Sequence, residues 1–198
     1  MSSEFIIWDH KIVPNACSLY ELIGIEKEYQ LIKGVSRADD FPGDAAFIMH
    51  PDRPHDTNLL DNLYNIHNLL VVSKRLKDFL ESRPLQKVEF LPITILTHKK
   101  KTASRDYFIV HPIDLPTCLD IKQSAAKRGI VDNESVDEVK QLVIDASKVD
   151  AKVELFRPKP FYDVFVVRQT LAHAIDETGF TGIRWVELED YPRPINRK

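Results

Sequence analysis

The chain has 198 residues, with 27 Lys and Arg against 30 Asp and Glu, so its formal net charge is −3. This near-neutral balance gives no general reason to expect binding to nucleic acid or to an anionic membrane. Hydrophobic residues make up 43% of the chain, as in folded globular proteins. The apolar runs are much shorter than the ~20 residues that cross a bilayer. The N-terminal residues lack the apolar core of a signal peptide, so the sequence predicts a cytoplasmic protein.

The cysteines and glycines exclude several common kinds of site. Cys17 and Cys118 are too few and too far apart for a disulfide framework or a zinc-binding pair, which predicts buried free thiols. The six glycines never form the phosphate-binding patterns of the common nucleotide-binding folds. We therefore expect no cofactor and no bound metal.

The N-terminal third contains one clear element. Aromatic and β-branched residues predict a strand over residues 4–8. Residues 18–31 fit a helix and a strand equally well. Proline, glycine and aspartate recur through residues 36–55, which predicts a polar loop without any long regular element.

The rest of the chain alternates between strands and short helices. Ser73 is a predicted N-cap for a helix over residues 73–81 with Leu76, Phe79 and Leu80 on one face. A second helix is predicted over residues 169–178, residues 98–105 are a predicted hairpin loop, and residues 120–129 form a short helix or a polar connector. Strands are predicted over residues 68–72, 87–97, 106–111, 139–144, 152–156, 162–167 and 183–188. These elements predict a single α+β domain over residues 1–198, with a mixed or antiparallel sheet.

An internal repeat is the strongest signal in the sequence. A shift of 95 residues places residues 71–81 on residues 166–176 without gaps, and the register continues as far as residues 91 and 186. Both copies read as strand, helix, helix stop and strand, although core-facing positions alone produce similar spacing. The match indicates an internal duplication, which we interpret as two related corners of a single sheet. Phe90 and Trp185 occupy matching positions, and we expect both rings in the core; alternatively, Trp185 anchors a partner.

Histidines and carboxylates cluster between residues 50 and 67. The side chains in this segment are those of His50, Asp52, His55, Asp56, Asp61 and His67. They belong to the types that bind metals or act as general bases. The spacing does not match a known zinc helix, and two prolines prevent a helix there. A solvated loop is the favoured interpretation, and a metal-dependent or His/Asp hydrolase is the alternative.

Other catalytic patterns are missing from the sequence. The adjacent carboxylate pairs, such as Asp176-Glu177 and Glu189-Asp190, do not lie in apolar stretches that would raise a pKa. No serine lies in the G-x-S-x-G pattern of a nucleophile elbow. The sequence therefore predicts a protein that is not an enzyme.

Charge is distributed unevenly along the chain. Residues 74–105 contain nine Lys and Arg against three acids, whereas residues 132–150 contain six acids and two lysines. Residues 176–190 contain five acids and one arginine. Acidic surfaces attract basic protein partners and repel others.

Several short motifs resemble a bacterial immunity protein family whose members are encoded beside polymorphic or secreted toxins. They are residues 71–76, 88–93, 107–113, 142–148 and 179–187. In the last motif, Gly182 and residues 185–187 match the closing motif of the family, with Trp185 where an aromatic residue is expected. The resemblance covers residues 60–190 and is weaker over residues 1–60. It brings no catalytic residues with it.

The resemblance implies an immunity protein that binds a cognate toxin and occludes its active site. Such proteins act in interbacterial competition, for example beside type VI secretion. The implied partner is a toxin domain, with no nucleic acid and no membrane, and a homodimer is possible. We expect the toxin to contact acidic, partly aromatic surface. The candidate residues are Asp39, Asp40, Phe41 and Asp44 in one segment, and Glu187, Glu189, Asp190 and Tyr191 in the other.

Overall fold

A computed structural model describes residues 4–129 and 134–192. The α-helices are α1 (Tyr29–Ile32), α2 (Lys74–Glu81) and α3 (Gln169–Asp176), and short 3-10 helices span Ala146–Lys148 and Leu188–Asp190. The strands are β1 (Phe5–His10), β2 (Ser18–Ile23), β3 (Ala46–Met49), β4 (Asn62–Asn65), β5 (Leu70–Ser73), β6 (Val88–Leu96), β7 (Thr102–Pro112), β8 (Lys127–Arg128), β9 (Val136–Glu138), β10 (Leu155–Phe156), β11 (Phe165–Arg168) and β12 (Ile183–Glu187). The predicted α+β class, with a mixed sheet and a few short helices, is confirmed.

The described chain divides into two compact units. The barrel unit contains residues 10–114 and 178–184, and the sheet unit contains residues 4–9, 115–129, 134–177 and 185–192. Each unit is assembled from segments that are distant in sequence. The single domain over residues 1–198 stays a prediction.

The barrel unit is a closed ring of six strands. Their order is β2-β3-β6-β7-β5-β4. The β2–β4 and β3–β6 pairs are parallel and the other pairs are antiparallel. Because successive side chains of a strand alternate between faces, one set of apolar residues fills the interior, including Leu19, Phe47, Leu63, Val71, Ile93 and Ile109.

Helix α2 packs against the outside of the barrel on β5 and β7. Its apolar face buries Leu76 and Leu80 completely. Ser73 caps the N-terminus as predicted, because its hydroxyl accepts a hydrogen bond from the Leu76 amide at 3.2 Å.

The sheet unit contains four strands in the order β10-β11-β1-β12. Strand β1 pairs antiparallel with β11, as does β10. A separate core includes Phe5, Ile7, Phe156, Val166 and Val186. Helix α3 buries Leu171, Ala172 and Ile175.

The structure bears out the strand–helix–strand repeat. The bounds of β5 and α2, shifted by 95 residues, coincide with those of β11 and α3, and the start of β6 coincides with that of β12. In both copies a third strand lies between the two repeat strands: β7 between β5 and β6, and β1 between β11 and β12. In the first copy the middle strand, β7, follows the repeat in the chain, whereas in the second copy the middle strand, β1, comes from the N-terminal part of the chain.

The interpretation of the copies as two corners of a single sheet is wrong. β5 and β6 belong to the barrel, whereas β11 and β12 belong to the four-stranded sheet. The apolar spacing of a strand–helix unit reports only that its faces are buried. The pairing partners of each strand come from elsewhere in the chain, so the spacing cannot show which sheet the strand joins.

Several segments differ from the predicted elements. Strand β7 begins at Thr102, so the hairpin loop is shorter than the predicted loop 98–105. The predicted loop 36–55 contains β3, whose four residues are all buried, and β4 follows it at a position where no strand was predicted. The predicted strand 139–144 is absent from that segment, where Ile144 forms only an isolated bridge with Leu119. The strand lies instead at β9. Strands β3, β4 and β9 are short, and distant partners rather than local pattern determine them.

Truncation of the helix faces tests both core assignments. Leu76→Ala and Leu171→Ala remove fully buried side chains, so each should lower the free energy of unfolding by ~2–5 kcal/mol. Urea denaturation measures the change. The exposed position Thr170 provides the control, since Thr170→Ala should change stability by less than about 0.5 kcal/mol. Losses that small for both leucine variants would contradict the packing.

Candidate functional site

The carboxylate of Asp61 organises the segment 179–182 in the barrel unit. Its Oδ2 accepts hydrogen bonds from the Thr181 amide and hydroxyl, both at 2.9 Å. Its Oδ1 accepts a bond from the Ser73 hydroxyl at 2.7 Å. The guanidinium of Arg75 completes the set with its Nη2 at 2.7 Å from Oδ2. One carboxylate therefore joins the cap of α2 to the closing motif.

Glycine is required at position 182 for two reasons. Its φ is +82°, and a Cβ there would lie 2.3 Å from the carbonyl oxygen of Asn62. The side-chain amide of Asn62 also donates to the Gly182 carbonyl at 2.9 Å, as does the Lys11 amide at 3.1 Å. The backbone thus approaches β4 more closely than any side chain would allow.

Burial alone would raise the pKa of Asp61. Hydrogen bonds from Arg75, Thr181 and Ser73 outweigh this effect and hold the pKa well below its ordinary value of 3.8. The carboxylate is therefore ionised at neutral pH and serves as an acceptor for all three partners.

The candidate segment 39–44 lies in the barrel unit. Asp39 and Asp44 are exposed, whereas Asp40 pairs with Arg37 at 2.8 Å and Phe41 packs against the barrel core. Arg37 is buried and also donates to the carbonyl oxygen of Glu26 at 3.2 Å. One arginine and one aromatic ring thus anchor the loop, which presents Asp39 and Asp44 to solvent.

The candidate segment 187–191 lies in the sheet unit. Glu189 and Asp190 are exposed and Glu187 is half-buried. The ring of Tyr191 lies 6.0 Å from that of Phe161, and burial raises the pKa of Tyr191 to about 12. Its aromatic side chain is already packed in the core of its own unit, so the acids are the accessible part of this segment.

Two histidines of the predicted cluster, His50 and His67, form hydrogen bonds within the barrel unit. His67 contacts the Glu28 carboxylate at 2.6 Å and the Tyr20 carbonyl at 2.9 Å. Nδ1 of His50 accepts from the Asp52 amide at 3.2 Å. In residues 4–129 and 134–192, no three His, Cys, Asp or Glu side chains are placed to hold a metal.

Both cysteines are buried free thiols, as predicted. Burial raises the pKa of Cys17 to about 12, and that of Cys118 to about 12 as well. The thiols therefore stay protonated at neutral pH and are poor nucleophiles.

Trp185 lines a small cavity in the sheet unit, which we call the Trp185 groove. The groove has a volume of about 60 Å³ and is lined by Ile6, Gln169, Ala172, His173, Asp176 and Trp185. The indole Nε1–H of Trp185 donates to Asp176 Oδ1 at 2.7 Å, and the ring lies 5.3 Å from that of Trp8. The groove therefore combines an aromatic ring with a carboxylate.

The expectation that Phe90 and Trp185 lie fully in the core is only partly correct. Both rings lie beside the helices, but each is half-buried. The helix beside each ring is only eight residues long. It therefore covers the ring on the neighbouring strand incompletely.

Sequence reasoning placed Asp61 in the histidine cluster and Thr181 in the closing motif, but it did not bring the two together, and it missed the groove. Asp61 and Thr181 are 120 residues apart, so no local pattern shows their contact. The sequence contained one signal of the groove. The 95-residue shift aligns Ala172 with Lys77, so a small side chain replaces a long one at this position of the second copy.

A series of glycine substitutions tests the close approach at the closing motif. Gly182→Ala should lower the free energy of unfolding by about 3 kcal/mol, from overpacking and a left-handed backbone together. Gly179 has a φ of +66° but open space around its Cβ position, so Gly179→Ala should cost ~1 kcal/mol. Gly43→Ala is the control, because no atom lies within 4 Å of its Cβ position. Equal effects at all three positions in urea denaturation would refute this account.

The Asp61 contacts predict a defined pH dependence. A carboxyl group whose pKa is lower in the folded state stabilises the fold at pH values above its pKa in the unfolded chain. This stabilisation is lost as the pH falls toward the pKa of the folded state. At pH 7, Asp61→Asn should lower the free energy of unfolding by about 1–3 kcal/mol. The difference from the unmodified protein should shrink below about pH 4. Exposed Asp106→Asn serves as the control; a difference independent of pH between 7 and 3 would contradict the assignment.

Comparison with known proteins places these features in a family. The immunity protein family (Imm11) matches residues 15–190, which include the Asp61 contacts, the repeat and the closing motif. A search of curated proteins found no match. No helix in the described part of the chain is long and apolar enough to cross a membrane. The chain belongs to the Imm11 immunity protein family.

Proposed function

We propose that this protein is a cytoplasmic immunity protein that binds a cognate secreted toxin and occludes its active site. Family membership over residues 15–190 is the observation that carries the proposal. The toxin would belong to a system of interbacterial competition, such as one that uses type VI secretion. Because the immunity protein acts in the cytoplasm in this scheme, the target of the toxin lies there too.

The distribution of charge between the units supports a basic partner. Among the described residues, the sheet unit has 15 acids and nine Lys and Arg, whereas the barrel unit has 14 acids and 15 Lys and Arg. The excess of acid is therefore confined to the sheet unit. An acidic surface accelerates encounter with a basic protein and selects against acidic ones.

Stoichiometry separates occlusion from an enzymatic mechanism. The purified protein is titrated against the toxin domain encoded in the neighbouring reading frame, and toxin activity is measured. Occlusion predicts that inhibition is complete near one equivalent and reverses when the complex dissociates. Protection by a small fraction of an equivalent would instead show turnover and overturn the binding mechanism.

We propose that the exposed acids of both candidate segments contact the toxin. Asp39 and Asp44 lie on the loop held by Arg37, and Glu189 and Asp190 follow β12. Phe41 and Tyr191 support these segments from the core side. A contact of this kind adds to the association rate more than to the lifetime of the complex.

Charge removal tests these segments. One variant carries Asp39→Asn, Asp40→Asn and Asp44→Asn, and another carries Glu189→Gln and Asp190→Asn. Each should slow association with the toxin by about threefold or more at low salt, and the difference should shrink as salt screens the charges. Stopped-flow measurement at two salt concentrations gives the rates.

The matched control changes three exposed acids elsewhere in the barrel unit, namely Asp52, Asp106 and Asp114, to Asn. It alters the net charge as much as the first variant does. If the control slows association equally, the effect is one of net charge, and the segments are not the contact surface.

A further inference from the structure

In the first repeat copy, the ammonium of Lys77 contacts aromatic rings and a carboxylate of the same copy and of strand β7. The ammonium of Lys77 lies 5.8 Å from the centroid of the Phe90 ring and 5.3 Å from that of Phe108. It also forms an ion pair with Glu81, and only 16% of its side chain is exposed. The space between α2 and strands β6 and β7 is thus filled by a cation held between two rings and a carboxylate.

The second copy keeps part of these surroundings but lacks the lysine. Asp78, whose carboxylate lies 3.6 Å from the Lys77 ammonium, is matched by His173. The 95-residue shift places Trp185 at the position of Phe90 and Asp176 at that of Glu81. Ile6 lies opposite Val167, as Phe108 lies opposite Val72, so the strand registers make Ile6 the counterpart of Phe108. Lys77 is replaced by Ala172.

The Trp185 groove occupies the space where the second copy lacks this side chain. Ala172, Asp176, Trp185 and Ile6 all line it, and its volume is about 60 Å³. A single water needs only ~10–15 Å³ by the comparable measure. The second copy therefore keeps one ring and one carboxylate of the lysine site and leaves the site open.

We propose that a lysine side chain of the toxin enters the Trp185 groove. Its ammonium would lie against the indole, which is the strongest aromatic partner for a cation. Asp176 would pair with it, since only Oδ1 of this carboxylate is bonded to Trp185. Glu187 follows Trp185 by two residues on β12 and lies on the same strand face. The acid excess of the sheet unit favours a cationic ligand, and the toxin as its source rests on the proposed function.

The groove itself is tested first with a small probe and the whole chain. Nα-acetyl-lysine methylamide is titrated into ¹⁵N-labelled protein, and the Trp185 indole N–H resonance is followed, with Trp185→Phe to assign it. The norleucine analogue has a similar length but no ammonium. We expect a saturable shift with the lysine probe alone. No shift, or equal shifts with both probes, would overturn the proposal.

Ala172→Lys places a lysine from the chain itself into the groove, as in the first copy. It should abolish the probe-induced shift and weaken toxin binding at least about tenfold, which corresponds to ~1.4 kcal/mol. Thr170→Lys adds the same charge at an exposed position of α3, and it should leave both measurements within about twofold of the unmodified protein. Full toxin affinity for Ala172→Lys, with the probe shift abolished, would refute the assignment.

Asp176→Asn provides a second variant if Ala172→Lys does not fold. The amide oxygen can still accept the indole hydrogen bond, but the charge is removed. This variant should bind both the probe and the toxin more weakly, and unchanged binding of both would overturn the proposal. If the unmodified protein binds no toxin, the proposed function fails, whereas the probe titration still reports on the groove.

Discussion

The carboxylate of Asp61 is the constraint on which the closing motif depends. Thr181, Ser73 and Arg75 all donate to it, and Gly182 fits against Asn62 only because it has no side chain. These bonds hold the segment 179–182 on the barrel unit, although the chain before residue 178 and after residue 184 belongs to the sheet unit. Hydrogen bonds to a charged acceptor are stronger than those between neutral groups. The conformation of the motif therefore depends on one glycine, one hydroxyl and one distant acid.

The repeat shows how one architecture yields two different surfaces. Both copies place a strand, a helix and a strand around a middle strand, but the middle strand is β7 in one and β1 in the other. In the first copy Lys77 fills the space beside the helix and satisfies Glu81. In the second copy Ala172 leaves the corresponding carboxylate and ring accessible. The replacement of a long cation by a methyl group, together with Ile6 in place of Phe108, thus leaves a groove where the first copy is packed.

The acid excess of the sheet unit comes from several separate segments of the chain and not from one continuous acidic segment. The lysines and arginines of residues 74–105 lie in the barrel unit, where Lys74, Arg75 and Lys77 pair with nearby acids. The sheet unit gathers acids from segments near both ends and the middle of the chain. This acid excess is the physical basis of the proposed basic partner.

Short-range physics allowed much of the fold to be predicted. The helix α2, its Ser73 cap, the β6–β7 hairpin and the gapless repeat depend on residues close together in the chain, so their apolar spacing and capping residues were sufficient. The class of protein also followed from the order of short motifs. The exposed acids of residues 39–44 and 187–191 could be recognised, but their distribution over two units could not.

Long-range pairing decided the rest. β3 is a strand because β2 and β6 flank it, and the six-stranded closure depends on parallel pairs that no local pattern specifies. Asp61 meets Thr181 across 120 residues, and Ile6 reaches the groove from the N-terminus. Sequence periodicity reports which face of an element is buried, whereas the identity of the neighbour is set by the packing of the whole chain. The sequence by itself thus determined the helices α2 and α3, the repeat and the family, whereas only the tertiary structure decided which strands pair and which residues share a site.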